Sequence, residues 1–361
     1  MTTLSDLDYP LPEALIAREP SVPRDQCRLL KYEMASGKIS DHIFNALPQL
    51  LRTGDLLVFN DSRVLHAKLL LRRKSGNFTT GLFVSEREPG RWTILLKSRG
   101  RCKVGHTLAI IAPNGQPAGE LELISKATAP GQWTARCTPE LPAADFLATC
   151  GHVPLPPYIE KARRKDGAVD QRPCDAADYQ TIFAAPPGSL AAPTAGLHFT
   201  PELLAALHSS GINAARITLH VGLGTFLPIT TSELAAHPMH QEAFTLDAGT
   251  LNRVRMQHEA SRRIIAVGTT TVRALESAAR PILASHSSSE AYAADTALLI
   301  MPGYRWQICD GLITNFHLPR STLLALVAAK IGLEALHRCY NHAITQGYRF
   351  YSYGDAMLIT E

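Results

Sequence analysis

Between residues 67 and 150 short apolar segments recur at close spacing, and this texture limits the fold more than any other feature of the chain. The segments are 68–71, 80–84, 92–96, 107–111, 119–124 and 133–137. Turn signals divide them: Ser75-Gly-Asn77, Pro89-Gly90, Arg99-Gly100, Pro113-Asn-Gly115 and Pro130-Gly131. Strands this short and this regularly interrupted predict a small all-β unit, closed as a barrel. On either side the texture changes. Asp55-Leu-Leu-Val-Phe59 is a continuous apolar run, which suits a strand covered on both faces. From 151 onward apolar strands alternate with helices. A Gly/Ala/Pro-rich loop spans 188–200, and a helix with Pro201 in its first turn spans 201–209. Strands are expected over 214–221, 263–267 and 296–301. Helices are expected over 272–279 and 321–333, the second with Ser321 as N-cap. Residues 280–295 read as a surface loop. The expected fold is therefore α/β. A larger layered α/β domain forms from residues 1–66 and 151–361, and a mostly β-barrel domain, 67–150, is inserted into it.

Composition narrows the function classes. With 45% hydrophobic and 19% charged residues the chain is neither disordered nor fibrous. The seven cysteines are scattered, odd in number and free of any C-x-x-C pair. That argues against a disulfide framework and a zinc ribbon, and for a reducing, cytoplasmic setting. No stretch reaches the ~20 apolar residues of a membrane span. The first residues carry Asp6, Asp8 and two prolines where a secretion leader needs basic residues. The net charge of +4 permits an acidic partner without demanding one.

Four groups of residues could carry chemistry. In Ile265-Ala-Val-Gly-Thr-Thr-Thr-Val-Arg273 a strand meets a glycine, three threonines and a helix. The N–H groups and positive dipole of that helix start, with the hydroxyls of Thr269, Thr270 and Thr271 and with Arg273, could hold a carboxylate or a phosphate. A threonine there could equally do no more than cap the helix. Gly222-Leu-Gly224 lacks the third glycine of a dinucleotide loop. His237 and His240 are metal-type residues, but Pro238 breaks the helix that would align them, so no metal is expected. His198, His220 and His317 each lie at the edge of an α/β element, where ligand crevices form. No nucleophile elbow and no phosphate-binding loop of the Walker type is present. Basic residues cluster at Lys161, Arg163, Arg164 and Lys165, at Arg72, Arg73 and Lys74, and in alternation at Lys97, Arg99, Arg101 and Lys103. Such clusters suit RNA phosphates, although a solvated charged face is the commoner outcome.

The blocks that join these features resemble one family. They include Asp8-Tyr-Pro-Leu-Pro, Arg24-Asp25 with Arg28-Leu-Leu30, and Gly54-Asp-Leu-Leu-Val-Phe-Asn-Asp-Ser-Arg-Val64. Further along come Pro154-Leu-Pro-Pro-Tyr-Ile159, Ala191-Ala-Pro-Thr-Ala-Gly-Leu-His-Phe-Thr200 and Leu219-His-Val-Gly-Leu-Gly-Thr-Phe226. Ala266-Val-Gly-Thr-Thr-Thr-Val-Arg-Ala-Leu-Glu-Ser277, Pro302-Gly-Tyr304, Thr314-Asn-Phe-His-Leu-Pro-Arg-Ser-Thr-Leu-Leu324 and Tyr348-Arg-Phe-Tyr-Ser-Tyr-Gly-Asp355 complete the set. Almost end to end, the chain resembles the S-adenosylmethionine:tRNA ribosyltransferase-isomerase family. The β insert and the 285–295 loop resemble it least.

The resemblance implies a larger α/β domain with a smaller β-barrel domain. It also implies a reaction. The ribosyl part of S-adenosylmethionine passes to 7-aminomethyl-7-deazaguanine at the tRNA wobble position and is isomerised to the epoxycyclopentanediol of epoxyqueuosine. Adenine and methionine leave. S-adenosylmethionine is then a co-substrate and no cofactor is needed. The partner is the anticodon stem-loop of tRNA, met by a monomer with no membrane involved. Lys161, Arg163, Arg164 and Lys165 would contact the tRNA. His198, His220 or His317 would be the general base that takes a C5′ proton beside the sulfonium. Thr269, Thr270, Thr271 and Arg273 would hold the methionine carboxylate, and Asn315, Tyr353 and Asp355 the ribose or base edges. Arg24, Asp25, Asp61, Arg63 and Arg320, all in motif blocks, would complete the substrate pocket. Two rival readings remain: a tRNA-binding protein without chemistry, and an S-adenosylmethionine-dependent methyltransferase. The first predicts RNA binding without S-adenosylmethionine, and the second predicts S-adenosylhomocysteine as product.

Overall fold

The apolar run after Asp55 becomes a strand whose five residues, Leu56–Asn60, are all buried. In the computed structural model, residues 3–97, 102–127, 129–165, 172–226, 233–284 and 289–361 are described, with side chains at all of them except 164, 165, 225 and 226. Seventeen strands run through these residues: β1 Arg28–Glu33, β2 Lys38–Ile43, β3 Leu56–Asn60, β4 Arg63–Val64, β5 Lys68–Arg73, β6 Phe78–Glu88, β7 Arg91–Leu96, β8 Thr107–Ile111, β9 Pro117–Lys126, β10 Gln132–Thr138, β11 Pro187–Ser189, β12 Asn213–Leu219, β13 Glu242–Leu246, β14 Ile264–Val267, β15 Tyr292–Thr296, β16 Gly311–Asn315 and β17 Ala356–Thr360. Nine of them form one sheet in the order β15-β13-β12-β3-β14-β16-β17-β1-β2. Six close a barrel in the order β10-β7-β6-β5-β8-β9, and β4 pairs with β11. The chain divides into two compact units. One holds Met1–Ser62, Thr181–Pro186 and Ala192–Glu361, and the other holds Arg63–Gln180 and Pro187–Ala191.

In the first unit β3 is central. It runs parallel to β12 on one side and β14 on the other, with Val58 facing Ala215 and Ala266. β14 is parallel to β16, β13 and β15 enter antiparallel to their neighbours, and β17 is antiparallel to β16 but parallel to β1. Leu57 and Phe59 alternate into a core with Leu29, Phe44, Phe199 and Leu203. Phe199 meets Phe44 at 5.0 Å and Phe59 at 4.9 Å, both edge to face. Each such side chain contributes about 1.5–3 kcal/mol of burial. Leu56 and Val58 point to the opposite face and are as completely buried, which is why the run shows no polar alternation. At the base of β3, Asp55 accepts from Arg263 Nε at 2.8 Å and from Arg263 Nη2 at 2.5 Å.

Two local expectations change. Residues 297–301 form no strand; the strand there is β15, over residues assigned to a loop. The reason lies in the backbone carbonyls of Thr296 and Leu298, which accept from Arg273, and in the Leu298 amide, which donates to Thr296 Oγ1. Groups spent on side chains cannot enter a ladder. Residues 285–288 of that loop lie outside the described residues. The helix expected over 272–279 starts earlier and spans Thr269–Ser277. Ser321 does cap the helix Thr322–Ile331, accepting from Leu324 N at 3.2 Å.

In the second unit every one of the six predicted segments is a barrel strand. Trp92, Ile94 and Leu96 of β7 alternate inward. Trp92 packs edge-on against Phe83 at 5.1 Å, and its Nε1 donates to Glu86 at 2.9 Å. The other Glu86 oxygen accepts from Ala143 N, at the start of the helix Ala143–Cys150. That helix sets Phe146 beside Trp92. Gly90 turns β6 into β7 at φ +77°, and a Cβ there would press on Glu140 and on the Cys137 carbonyl. The compact unit runs on past residue 150, where the boundary was expected, to Gln180.

Candidate active site

Because β12, β3, β14 and β16 are parallel, their carboxyl ends share one edge of the sheet. His220, Asp61, Gly268 and Phe316 follow those ends. β17 is antiparallel to β16 and brings Asp355 to the same edge, since Ala356 faces Asn315. In open α/β sheets this is where ligands bind.

Asn60 knits the edge together. Its Oδ1 accepts from Leu219 N at 3.0 Å and Ser62 N at 3.1 Å. Its Nδ2 donates to Leu219 O at 2.9 Å and to Thr270 Oγ1 at 3.3 Å. The next residue, Asp61, accepts from Thr218 Oγ1 at 2.7 Å, and burial pushes its carboxyl above the ordinary value. His220 is half-buried, and its Nδ1 has no hydrogen-bond partner among the described residues. Burial lowers the pKa of His220, and the charge of Asp61 pulls it partly back.

Gly268 opens the helix Thr269–Ser277 at φ +92°, and no side chain caps it. The left-handed turn needs glycine there. The threonines therefore do not serve as caps. Thr271 Oγ1 donates to Val267 O at 2.8 Å, Thr269 is buried, and Thr270 takes the Asn60 amide. Arg273 is not presented to a ligand. Its guanidinium is buried, ion-pairs with Glu242, and donates to the carbonyls of Leu298 (3.0 Å) and Thr296 (3.3 Å). Glu242 in turn accepts from Gly222 N at 3.0 Å, so Arg273 braces the loop after His220.

His198 ends the turn Thr194–His198 and is buried against Phe44. Its Nδ1 lies 3.2 Å from Cys27 Sγ. Its Nε2 and the Oδ1 of Asn315 are both buried without a hydrogen bond of good geometry. The Asn315 side chain nonetheless favours a proton on this ring. Asn315 Nδ2 donates to Tyr351 O at 2.9 Å and Ser352 O at 3.3 Å. His317 is held still: its amide donates to Tyr340 OH at 3.0 Å, its carbonyl accepts from Tyr9 OH, and its Nε2 meets Thr314 Oγ1 at 2.7 Å. Burial pushes both His198 and His317 from 6.5 down to about 4. A depressed folded pKa means that the unfolded chain binds more protons, so stability present above pH 6.5 is lost as pH falls toward 4. Each ring contributes a slope of about 1.4 kcal/mol per pH unit in that window. We expect the melting temperature to fall steadily from pH 7 to pH 5, and a flat profile there would contradict the buried neutral rings.

The other candidates scatter. Asp25 accepts from Thr200 Oγ1 at 3.1 Å, and Arg24 is half-buried beside it in the chain. Asp355 is consumed by the backbone, accepting from Arg28 N at 2.9 Å and Arg349 N at 2.7 Å. Tyr353 is buried and Arg320 is exposed at φ +57°. Arg63 lies on β4, in the second unit. Of the basic cluster at 161–165, expected to meet tRNA, one residue turns inward. Arg163 is buried and holds Asp175 with two bonds of 2.6 and 2.8 Å, because a buried carboxylate demands a paired cation. Lys161 is exposed, while the side chains of Arg164 and Lys165, like Arg99 and Arg101, lie outside the description.

The profile of the queuosine biosynthesis protein family matches residues 4–359. The chain belongs to this family. Members called S-adenosylmethionine:tRNA ribosyltransferase-isomerase are close in sequence. That of Acaryochloris marina is 44% identical over 99% of this chain and 93% of its own, and that of Gluconacetobacter diazotrophicus is 45% identical over 99% and 97%. The crystal structure of S-adenosylmethionine tRNA ribosyltransferase from Thermotoga maritima shares the fold, with a TM-score of 0.54 at 33% identity over 98% of this chain and 99% of that one. Among the described residues of this family member no helix is long and apolar enough to cross a membrane.

Sequence reasoning did not single out Asn60, Cys27, Glu242 or Glu276. Glu276 is buried and accepts from Gln307 N, Ile308 N and Cys309 N at 2.9–3.1 Å and from Tyr304 OH at 3.1 Å. It therefore ties two blocks characteristic of the resemblance, one around 266–277 and the other at 302–304. A glutamate inside an apolar helix face was the available signal.

Proposed function

We propose that this protein transfers the ribosyl part of S-adenosylmethionine to 7-aminomethyl-7-deazaguanine at the wobble position of tRNA and isomerises it, giving epoxyqueuosine with release of adenine and methionine. The observation that carries the reading is the full-length kinship with ribosyltransferase-isomerases at 42–45% identity. The geometry supports it by supplying a base at the right kind of edge. S-adenosylmethionine is the co-substrate, no cofactor takes part, and the enzyme works as a cytoplasmic monomer on the anticodon stem-loop.

His220 is the base in this proposal. Its Nδ1 is unclaimed, and Asp61 stabilises the imidazolium formed when a C5′ proton leaves the sulfonium carbon. The ylide expels adenine and opens the sugar. The neutral tRNA amine then adds to the opened carbon, and closure of the epoxide releases methionine. His198 takes a different part. The Asn315 amide spends its N–H groups on two carbonyls, which leaves Oδ1 as the acceptor facing the ring. The Cys27 thiol, kept neutral by burial, donates to Nδ1. His198 is thus the Nε2–H tautomer, a donor rather than a base. Asn60, Asp61, Thr270 and the uncapped start of the helix Thr269–Ser277 orient the substrate, with Asp25 and Arg24 nearby in the same unit.

A product assay tests this. The protein is mixed with S-adenosylmethionine and tRNA carrying 7-aminomethyl-7-deazaguanine, and adenine and the nucleoside mass are followed. Adenine and methionine released only with that tRNA support the proposal. S-adenosylhomocysteine would replace it with methyl transfer.

A further inference from the structure

We propose that the outer face of the barrel carries an RNA-binding groove, built on the β5–β6 turn and the strand beside it, that grips the sugar-phosphate backbone with Arg72, Arg73 and Lys74 and stacks a base on Phe78. The inference rests on the reading that the substrate is tRNA, and its test is independent of catalysis.

The strand register lays out the groove. Arg72 of β5 faces Phe78 of β6 on one side and Ala109 of β8 on the other, and Ala109 faces Glu120 of β9. Residues paired across antiparallel strands share a face. Leu69 and Leu71 fill the barrel interior, so Arg72 and its row point outward, while Arg73, the last residue of β5, lines the hollows where the strand passes into the turn. Phe78 is 58% exposed, which is unusual for a large aromatic residue. Ala109 and Thr107 are small, and over them lies a hollow of about 360 Å³ walled by Arg72, Arg73, Lys74 and Glu120. A second hollow of about 290 Å³ shares Arg73, Lys74 and Thr107 and continues to Gly105 and His106. The two hollows adjoin along the turn at Arg73, Lys74 and Thr107.

The cations of this face stand without the ion pairs that several others of its unit make. Lys68, Arg91 and Arg136 are each paired with a carboxylate: Glu160, Glu88 and Glu122. Arg72, Arg73 and Lys74 form no ion pair among the described residues, although Glu120 lines the first hollow. Three adjacent cations left without counter-ions suit phosphates, and an exposed aromatic in the same row suits a base. Glu120, on the far wall, repels a second phosphate and suits a ribose hydroxyl donor, a group that RNA has and DNA lacks.

The experiment measures tRNA affinity by fluorescence anisotropy at several salt concentrations, with full-length protein and no S-adenosylmethionine. Arg72→Ala with Lys74→Ala should weaken binding and reduce the slope of log affinity against log salt by about one to two. Phe78→Ala should weaken binding about ten-fold with the slope unchanged. Arg136→Ala removes one charge from the same barrel and should change neither quantity; circular dichroism confirms that each variant folds. A salt slope unchanged in the Arg72/Lys74 variant, or a loss as large in Arg136→Ala, overturns the proposal. If the variants lose tRNA affinity but the parent protein releases no adenine, the groove stands and the catalytic proposal falls.

Discussion

Replacing His220 by alanine is expected to slow adenine release by about 10²–10⁴-fold while the protein stays folded and still binds S-adenosylmethionine. Two features argue for this ring over the other two. The residue is half-buried where they are buried, and Asp61 is near enough to favour its charged form. His198 and His317 are both pushed down to about 4 by burial and are hydrogen-bonded on one ring nitrogen. Protonating either inside the protein costs more than protonating His220. Single-turnover adenine release measured beside thermal unfolding separates the roles. His198→Ala should lower the melting temperature more than His220→Ala does. Asp61→Asn removes the charge that raises the pKa of His220, so the acidic limb of the rate profile should move to lower pH. Turnover that survives His220→Ala but vanishes in His198→Ala would give the base role to the other ring.

Arg273→Ala should destabilise the first unit by about 3–5 kcal/mol, because it strands Glu242 as an unpaired buried charge. The carbonyls of Thr296 and Leu298 lose their donors in the same step. Arg273→Lys should recover little, since a lysine cannot span three acceptors from one planar fork. Arg273→Met combined with Glu242→Gln removes both charges and should recover much of the loss. Had Arg273 held the methionine carboxylate instead, alanine would raise the KM for S-adenosylmethionine and leave the melting temperature unchanged. Differential scanning calorimetry with initial-rate kinetics decides between these outcomes.

The barrel was legible because its strands are local. Each one alternates, ends at a turn signal and pairs with neighbours close in sequence, apart from two longer closures, β5 with β8 and β7 with β10. β3 was legible because burial on both faces leaves an unbroken apolar run. β1, β2, β13 and β17 were not singled out, since their partners are remote or their patterns mix polar with apolar residues. In the site, strand order was enough to place His220 and His317 at a crevice edge. Partners were not readable. Arg273 and Arg163 look in sequence like any cation offered to solvent, and only the fold brings Glu242 and Asp175 to them. Cys27 was one of seven scattered thiols until the fold placed it against His198.

The position of β17 has a consequence for how the protein is made. This strand sits between β16 and β1, and the Arg28 amide reaches Asp355 across 327 residues of sequence. At roughly 5–20 residues per second, β1 leaves the ribosome on the order of tens of seconds before its partner. The barrel unit, nearly continuous in sequence, can close during that interval. The β1–β2 hairpin meanwhile presents an unpaired edge to every other nascent chain nearby. Slow codons or scarce chaperones would therefore harm the yield of this enzyme through its first strands, long before its catalytic edge exists.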